Sequence, residues 1–193
     1  EILPLLPSDA KVIVASRTRE GLEGMHIQHI PFDVLTDTLP IEQLPPQLDG
    51  FVYCPGSINL RPFRGLKEEA FKNDFEINVL GAVRTLQQVQ PLLTASEQSS
   101  VVLFSTVAVQ TGMPFHASVA AAKGALEGLG RSLAAEWAPK VRVNVIAPSI
   151  TDTPLANRFL NNDAKKEKAA LRHPLKRIGT TKDVAQLAAF LLS

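Results

Sequence analysis

The residues of this chain whose types and spacing could do chemistry are the hydroxyl pair Ser105-Thr106 and, further on, Lys123. A hydroxyl can hydrogen-bond a reacting oxygen, and an ammonium brought back beside it can donate to a second oxygen. His116 and Ser118 lie between them, and a histidine can take or return a proton near neutral pH. Asn78 adds an amide on the turn of Phe75 and Val79, at the edge of a predicted buried stripe. A buried amide needs partners, so Asn78 is either a structural tie or part of a site.

The elements that must position these groups are legible. Val101–Phe104 is an apolar strand that delivers Ser105 and Thr106, and Phe115–Trp137 is an Ala-rich helix that returns Lys123. Lys11–Ala15, His26–Val34, Gly50–Cys54 and Val141–Ala147 read as further strands. Leu66–Leu93 carries Phe71, Phe75, Val79, Val83, Leu86, Val89 and Leu93 at helical spacing and is predicted to be the longest helix. Ile2–Leu6 reads as the tail of a helix, and Asp183–Leu192 as a closing amphipathic helix opened by Thr180-Thr181. Strands alternating with crossover-length connections predict an α/β fold with a parallel sheet.

In such a sheet, polar chemistry gathers at the strand C-termini. Ser16 and Arg17 follow the first strand, where an arginine accepts a 2′-phosphate and an acid would hold a ribose hydroxyl, so this pair favours NADP(H) over NAD(H). The plainer alternative is solvated arginines at Arg17 and Arg19. Asp33, Gly56 and the run Ser149 to Thr153 follow other strands. His26 and His29 fall on opposite faces of a strand with no completing ligand set, so no metal site is expected. Asp163–Lys168 reads as a solvated helix face, or as a substrate lid after a strand end.

The bulk numbers fit one globular domain over residues 1–193, with 45% hydrophobic and 20% charged residues. Lys+Arg of 20 against Asp+Glu of 19 leaves no footprint for nucleic acid or an anionic membrane, which points to a small-molecule partner. Cys54 is the only cysteine, which excludes an intrachain disulfide and fits a reducing, cytoplasmic setting. No apolar run approaches the roughly 20 residues of a membrane-spanning helix.

Taken in order, Asn78-Val-Leu-Gly81, Phe104-Ser-Thr106, Val143-Asn-Val-Ile-Ala-Pro148 with Thr153, and Leu175-Lys-Arg-Ile-Gly179 with Asp183-Val-Ala and Phe190-Leu-Leu-Ser193 resemble the short-chain dehydrogenase/reductase family. The resemblance covers essentially the whole chain. It implies a Rossmann-type, doubly wound parallel sheet in a three-layer α/β/α arrangement, a nicotinamide cofactor, hydride transfer to or from a carbonyl or alcohol, and a homodimer or homotetramer. Small residues at Ala120, Ala121, Gly124, Ala125 and Gly128 suit such an interface.

Carried over by resemblance, Asn78 holds a proton-relay water, Thr106 bonds the reacting oxygen and Lys123 meets the nicotinamide ribose. Arg17 with Ser16 takes the 2′-phosphate, Asp33 and Val34 the adenine side, Gly56 the turn beneath the adenosine ribose, and Pro148, Thr151 and Thr153 the nicotinamide side. Tyr53, Cys54 and Pro55 depart from the usual residues of that turn. Val119 stands where the resemblance places a proton-handling tyrosine, which leaves His116 or Ser118 to supply the proton or makes the chain a cofactor-binding or oligomerising pseudoenzyme. No Gly-rich pyrophosphate turn is present, so the first and last strands of the family's sheet are expected to lie outside this chain.

Overall fold

A computed structural model describes residues 1–193. Its strands are β1 (Ile13–Ser16), β2 (Gln28–Pro31), β3 (Gly50–Tyr53), β4 (Ser99–Phe104), β5 (Val141–Ile146) and the short pair β6 (Thr151–Asp152) and β7 (Gly179–Thr180). The helices are α1 (Glu68–Phe75), α2 (Gly81–Ala95), α3 (Ala108–Thr111), α4 (Ala117–Trp137), α5 (Asp163–Ala170) and α6 (Thr181–Leu192). Every strand pairing is parallel, in the ladders β1-β2, β3-β4-β5 and β6-β7.

β4 shows how the layers form. Val101 and Leu103 enter a core with Leu86, Val89 and Leu93 of α2 and Leu126 and Trp137 of α4. Val102 and Phe104, on the opposite face, meet Ala188, Leu191 and Leu192 of α6. Alternate residues of a strand face opposite ways, so this division puts helices on both sides of the sheet. Ser100 Oγ donates to Leu191 O at 2.6 Å and helps seat α6. That helix starts at a capping box, in which Thr180 and Asp183 exchange side-chain and backbone hydrogen bonds. Arg177 grips the same carboxylate through both guanidinium nitrogens and, with Thr180, holds it well below its usual pKa range.

Three expectations change. The first strand starts at Ile13, and the chain start forms only a 3₁₀ turn, Leu3–Leu5. The predicted long helix is interrupted: a π-helical turn, Glu76–Leu80, separates α1 from α2, which leaves α4 the longest uninterrupted α-helix. Its wider step rotates the buried face, so Phe75 is 40% exposed while Asp74 and Asn78 are fully buried. Tyr53 braces this turn by donating to Ile77 O at 2.7 Å, and burial pushes its phenol up, so it stays protonated. Gly81 leaves room for it, because a Cβ there would collide with Tyr53 Oη and come within 2.8 Å of Val34 Cγ2.

Close approach also governs α4. A Cβ on Gly130 would stand 2.6 Å from Val145 Cγ2, whereas one on Gly128 would meet nothing within 4 Å. Gly130→Ala is expected to cost about 1–3 kcal/mol by overpacking, and Gly128→Ala to stabilise the helix by about 0.5–1 kcal/mol. Urea unfolding of both variants checks this; a gain from Gly130→Ala would contradict the packing of α4 on β5.

Candidate functional site

The parallel register aligns the ends of three strands. Tyr53 pairs with Leu103, and Phe104 with Ile146, so the turns leaving β3, β4 and β5 emerge along one edge. The pairing runs on past the strands, with Ser105 N donating to Ile146 O at 2.7 Å and Val107 N to Pro148 O at 3.1 Å. Thr106 and the Pro148 turn are thereby fixed side by side.

Lys123 comes to this edge from α4 and is buried to 9% exposure. Its Nζ donates to Phe104 O at 2.7 Å, which leaves two further N–H donors. Burial pushes its pKa down to about 8, against the opposing pull of Asp74 and Cys54. Near neutral pH it is therefore still a cation, held close to the point of release.

Asn78 arrives from the π turn. Its Nδ2 donates to Asp74 O at 2.7 Å and to Ser57 Oγ at 3.0 Å. Its Oδ1 is buried with no partner. A Cβ placed on Gly56 would stand 3.2 Å from that orphaned oxygen and 3.6 Å from Lys123 Nζ. A bare acceptor and an ammonium with spare donors thus flank a glycine, a combination suited to a hydroxyl or a water. Gly56 was expected beneath an adenosine ribose; the structure sets it against Asn78 and Lys123.

The hydroxyl pair divides its work. Ser105 is buried and donates to Glu127 Oε1 at 2.6 Å, so its hydrogen is committed. Thr106 Oγ1 accepts from Ala108 N at 3.3 Å, and no partner takes its hydrogen. Ser118, a candidate proton source by sequence, is excluded by burial and by its bonds to Asp74 Oδ2 and Ala70 O. His116 is half-buried at the N-cap of α4, two turns before Lys123 and on the same helical face. Its Nδ1 lies 2.7 Å from Pro114 O; a carbonyl can only accept, so the proton sits on Nδ1 and neutral Nε2 is left bare.

The remaining candidates lie around this centre. Ser16 Oγ donates to Thr18 O at 2.7 Å and accepts from His29 Nε2 at 2.9 Å. Arg17 beside it is exposed and in no salt bridge. Asp33 caps its own turn by accepting from Leu35 N at 3.0 Å, and Val34 is in the core with its carbonyl accepting from Arg84. Thr151 Oγ1 donates to Ser149 O at 3.1 Å, and Thr153 Oγ1 accepts from Ala156 N at 3.3 Å. No cluster of three or more metal-ligating side chains occurs, and no helix is long and apolar enough to cross a membrane. Sequence reading missed Asp74, the fully buried carboxylate to which Ser57, Asn59 and Ser118 all donate.

A family model described as Enoyl-(Acyl carrier protein) reductase matches residues 40–193. A tropinone reductase homolog from Arabidopsis thaliana is 42% identical over 149 residues, 75% of this chain and 54% of that protein. The peroxisomal 2,4-dienoyl-CoA reductase of Saccharomyces cerevisiae is 33% identical over 132 residues, 68% of this chain and 45% of that protein. The chain spans about half the length of the curated relatives it matches. Among solved structures, a short-chain glucose/ribitol dehydrogenase from Brucella melitensis superposes with a TM-score of 0.84 at 28% identity, covering 95% of this chain and 79% of that one. A gluconate 5-dehydrogenase from Burkholderia cenocepacia, in complex with NADP and tartrate, shares the fold with a TM-score of 0.82 at 22% identity, over 94% and 78% of the two chains.

Proposed function

Because this chain belongs to the short-chain dehydrogenase/reductase family, we propose that it carries the reactive edge of an NADP(H)-dependent oxidoreductase acting on a small carbonyl or alcohol. One observation carries this reading: the orphaned, buried Asn78 Oδ1 and the Lys123 ammonium flank Gly56 where parallel strands end. That pair fits the nicotinamide ribose and its associated water, since it offers one acceptor and spare donors to hydroxyl groups. The bound cofactor supplies the hydride donor or acceptor.

The chain's own groups have separable tasks. Lys123 holds a ribose hydroxyl and raises the local positive potential, and Asn78 Oδ1 orients a water in the cleft. The free hydrogen of Thr106 bonds the reacting oxygen. Val119 has no proton to give, so His116 handles it: Nε2 takes a proton from solvent and returns it to the oxygen that gains charge during reduction. Pro148, Thr151 and Thr153 shape the nicotinamide side, and Asp33 and Val34 the adenine side. Arg17, with no carboxylate to neutralise it, is available to a 2′-phosphate, with Ser16 beside it.

A second reading rests on Val119, which is 4% exposed and chemically inert: the chain then binds cofactor without turning it over. Calorimetric titration of the full-length protein with NADPH and NADH tests the main proposal. The expected result is NADPH-selective binding whose preference falls about tenfold or more in Arg17→Ala. Binding of neither nucleotide would overturn the oxidoreductase assignment.

A further inference from the structure

Asp74 sits at the centre of a hydrogen-bond chain that none of the tasks above uses. Its Oδ1 accepts from Ser57 Oγ at 2.6 Å and from Asn59 Nδ2 at 2.9 Å, and its Oδ2 accepts from Ser118 Oγ. Three donors converge on it and no acceptor does, which suits a carboxylate. It lies at 0% exposure with no salt-bridge partner. A buried carboxylate without a contacting cation is costly, so its retention calls for a compensating role.

The direction of the chain supplies one. A hydroxyl has one hydrogen, and Ser57 commits it to Asp74; toward Asn78, Ser57 can only accept. Asn78 therefore turns its NH₂ group to Ser57 Oγ and to the backbone carbonyl of Asp74. Its carbonyl oxygen is left facing the other way, toward Gly56 and Lys123. Ser57 is also the residue next to Gly56, so the carboxylate lies one residue's width behind the point the ammonium approaches.

We propose that Asp74 is a positioning residue of this site: its carboxylate sets the polarity of the chain from Asn78 through Ser57, so that the Asn78 carbonyl faces the cleft, and it is the counter-charge of the Lys123 ammonium. This rests on the reading that Asn78 and Lys123 form the reactive cleft. The titratable groups around Lys123 are Asp74 on α1, Cys54 in the turn after β3 and, on α4 itself, Glu127 one turn on, whose carboxylate is engaged by Ser105 and Gln110. Among them Asp74 is the largest influence favouring the charged form.

The test needs neither cofactor nor substrate. The full chain, with ¹³Cε-lysine and ¹⁵N-asparagine labels, is titrated by NMR from neutral to alkaline pH as wild type and as Asp74→Asn. In a variant that keeps its circular dichroism and cooperative melting, the Lys123 midpoint is expected to fall by about one pH unit. Exchange of the Asn78 side-chain amide protons should accelerate about tenfold or more. A folded variant with both signals unchanged overturns the proposal. Should Asp74→Asn not fold, Ser57→Ala decides: it keeps the carboxylate, so amide exchange should accelerate while the Lys123 midpoint stays, and unchanged exchange overturns the proposal. Failure to bind NADPH would count against the oxidoreductase reading and leave this result standing.

Discussion

Val119→Tyr is expected to raise NADPH-dependent carbonyl reduction by about 10²–10⁴-fold, the usual contribution of a positioned general acid. Val119 lies four residues before Lys123 on the same face of α4, one helical turn or about 6 Å away. A phenol at that position brings a hydroxyl toward the ammonium, and a nearby cation favours the phenolate that remains after proton donation. The added ring also has to fit where Val119 is 4% exposed, at an overpacking cost of about 1–3 kcal/mol. Initial rates against a panel of aldehydes and ketones, with NADPH affinity and thermal midpoint measured on the same preparations, check the expectation. A folded variant with unchanged cofactor affinity and no gain in rate would show that proton supply does not limit this site.

Lys123→Met should have the opposite character, with cofactor binding weakened and the fold made more stable. The folded chain titrates Lys123 at about 8, whereas the unfolded lysine titrates near its ordinary 10.5. Below about 8 both states hold the proton, and the fold carries the full cost of a buried ammonium. Between about 8 and 10.5 the unfolded chain binds a proton that the folded chain has released, so wild-type stability rises with pH through that window. A methionine keeps the stem, removes the charge and gives up the bond to Phe104 O. The variant is therefore expected to be about 1–2 kcal/mol more stable than wild type near neutral pH. That difference should stay constant below about 8 and close as the pH climbs toward 10.5. Urea unfolding across this range checks it, and a variant less stable than wild type at neutral pH would show that the ammonium stabilises the fold. A net cost at Lys123 is what a residue retained for chemistry would show.

The fold was legible where periodicity speaks for a whole element. The apolar runs at Phe51–Tyr53, Val101–Phe104 and Val141–Ile146 became buried parallel strands, and Lys123 came back along α4 to the end of β4 as the Ala-rich run implied. What stayed hidden came from one local irregularity. Counting at 3.6 residues per turn put Phe75 into the core and Asn78 at its edge; the π turn rotates that count, exposing Phe75 and burying Asp74 and Asn78. No periodic pattern announces a single wide turn, and a charged residue in an amphipathic stretch reads as solvated by default. The available signal was polar company: Ser57, Asn59 and Ser118 are small hydroxyl and amide residues with no apolar reason to be buried. Their convergence is a matter of tertiary approach, which spacing along one helix does not encode. The two hydroxyls also looked alike in sequence, and only the position of Glu127 separates Ser105, which is committed, from Thr106, which is not.

The wide turn at Glu76–Leu80 makes chain length itself a carrier of information. Gly81 N reaches back to Glu76 O, one residue beyond the regular helical step, so the segment accommodates a residue that a regular helix would not. Losing any one residue there would restore regular winding and swing everything before it by about 100° relative to everything after it. Asp74 would leave Ser57 while Gly81 stayed under Tyr53, although neither side chain had changed. Within these few positions an insertion or deletion would be read by the fold as a rotation, and alignments that tolerate a gap there would be comparing different faces of the same helix.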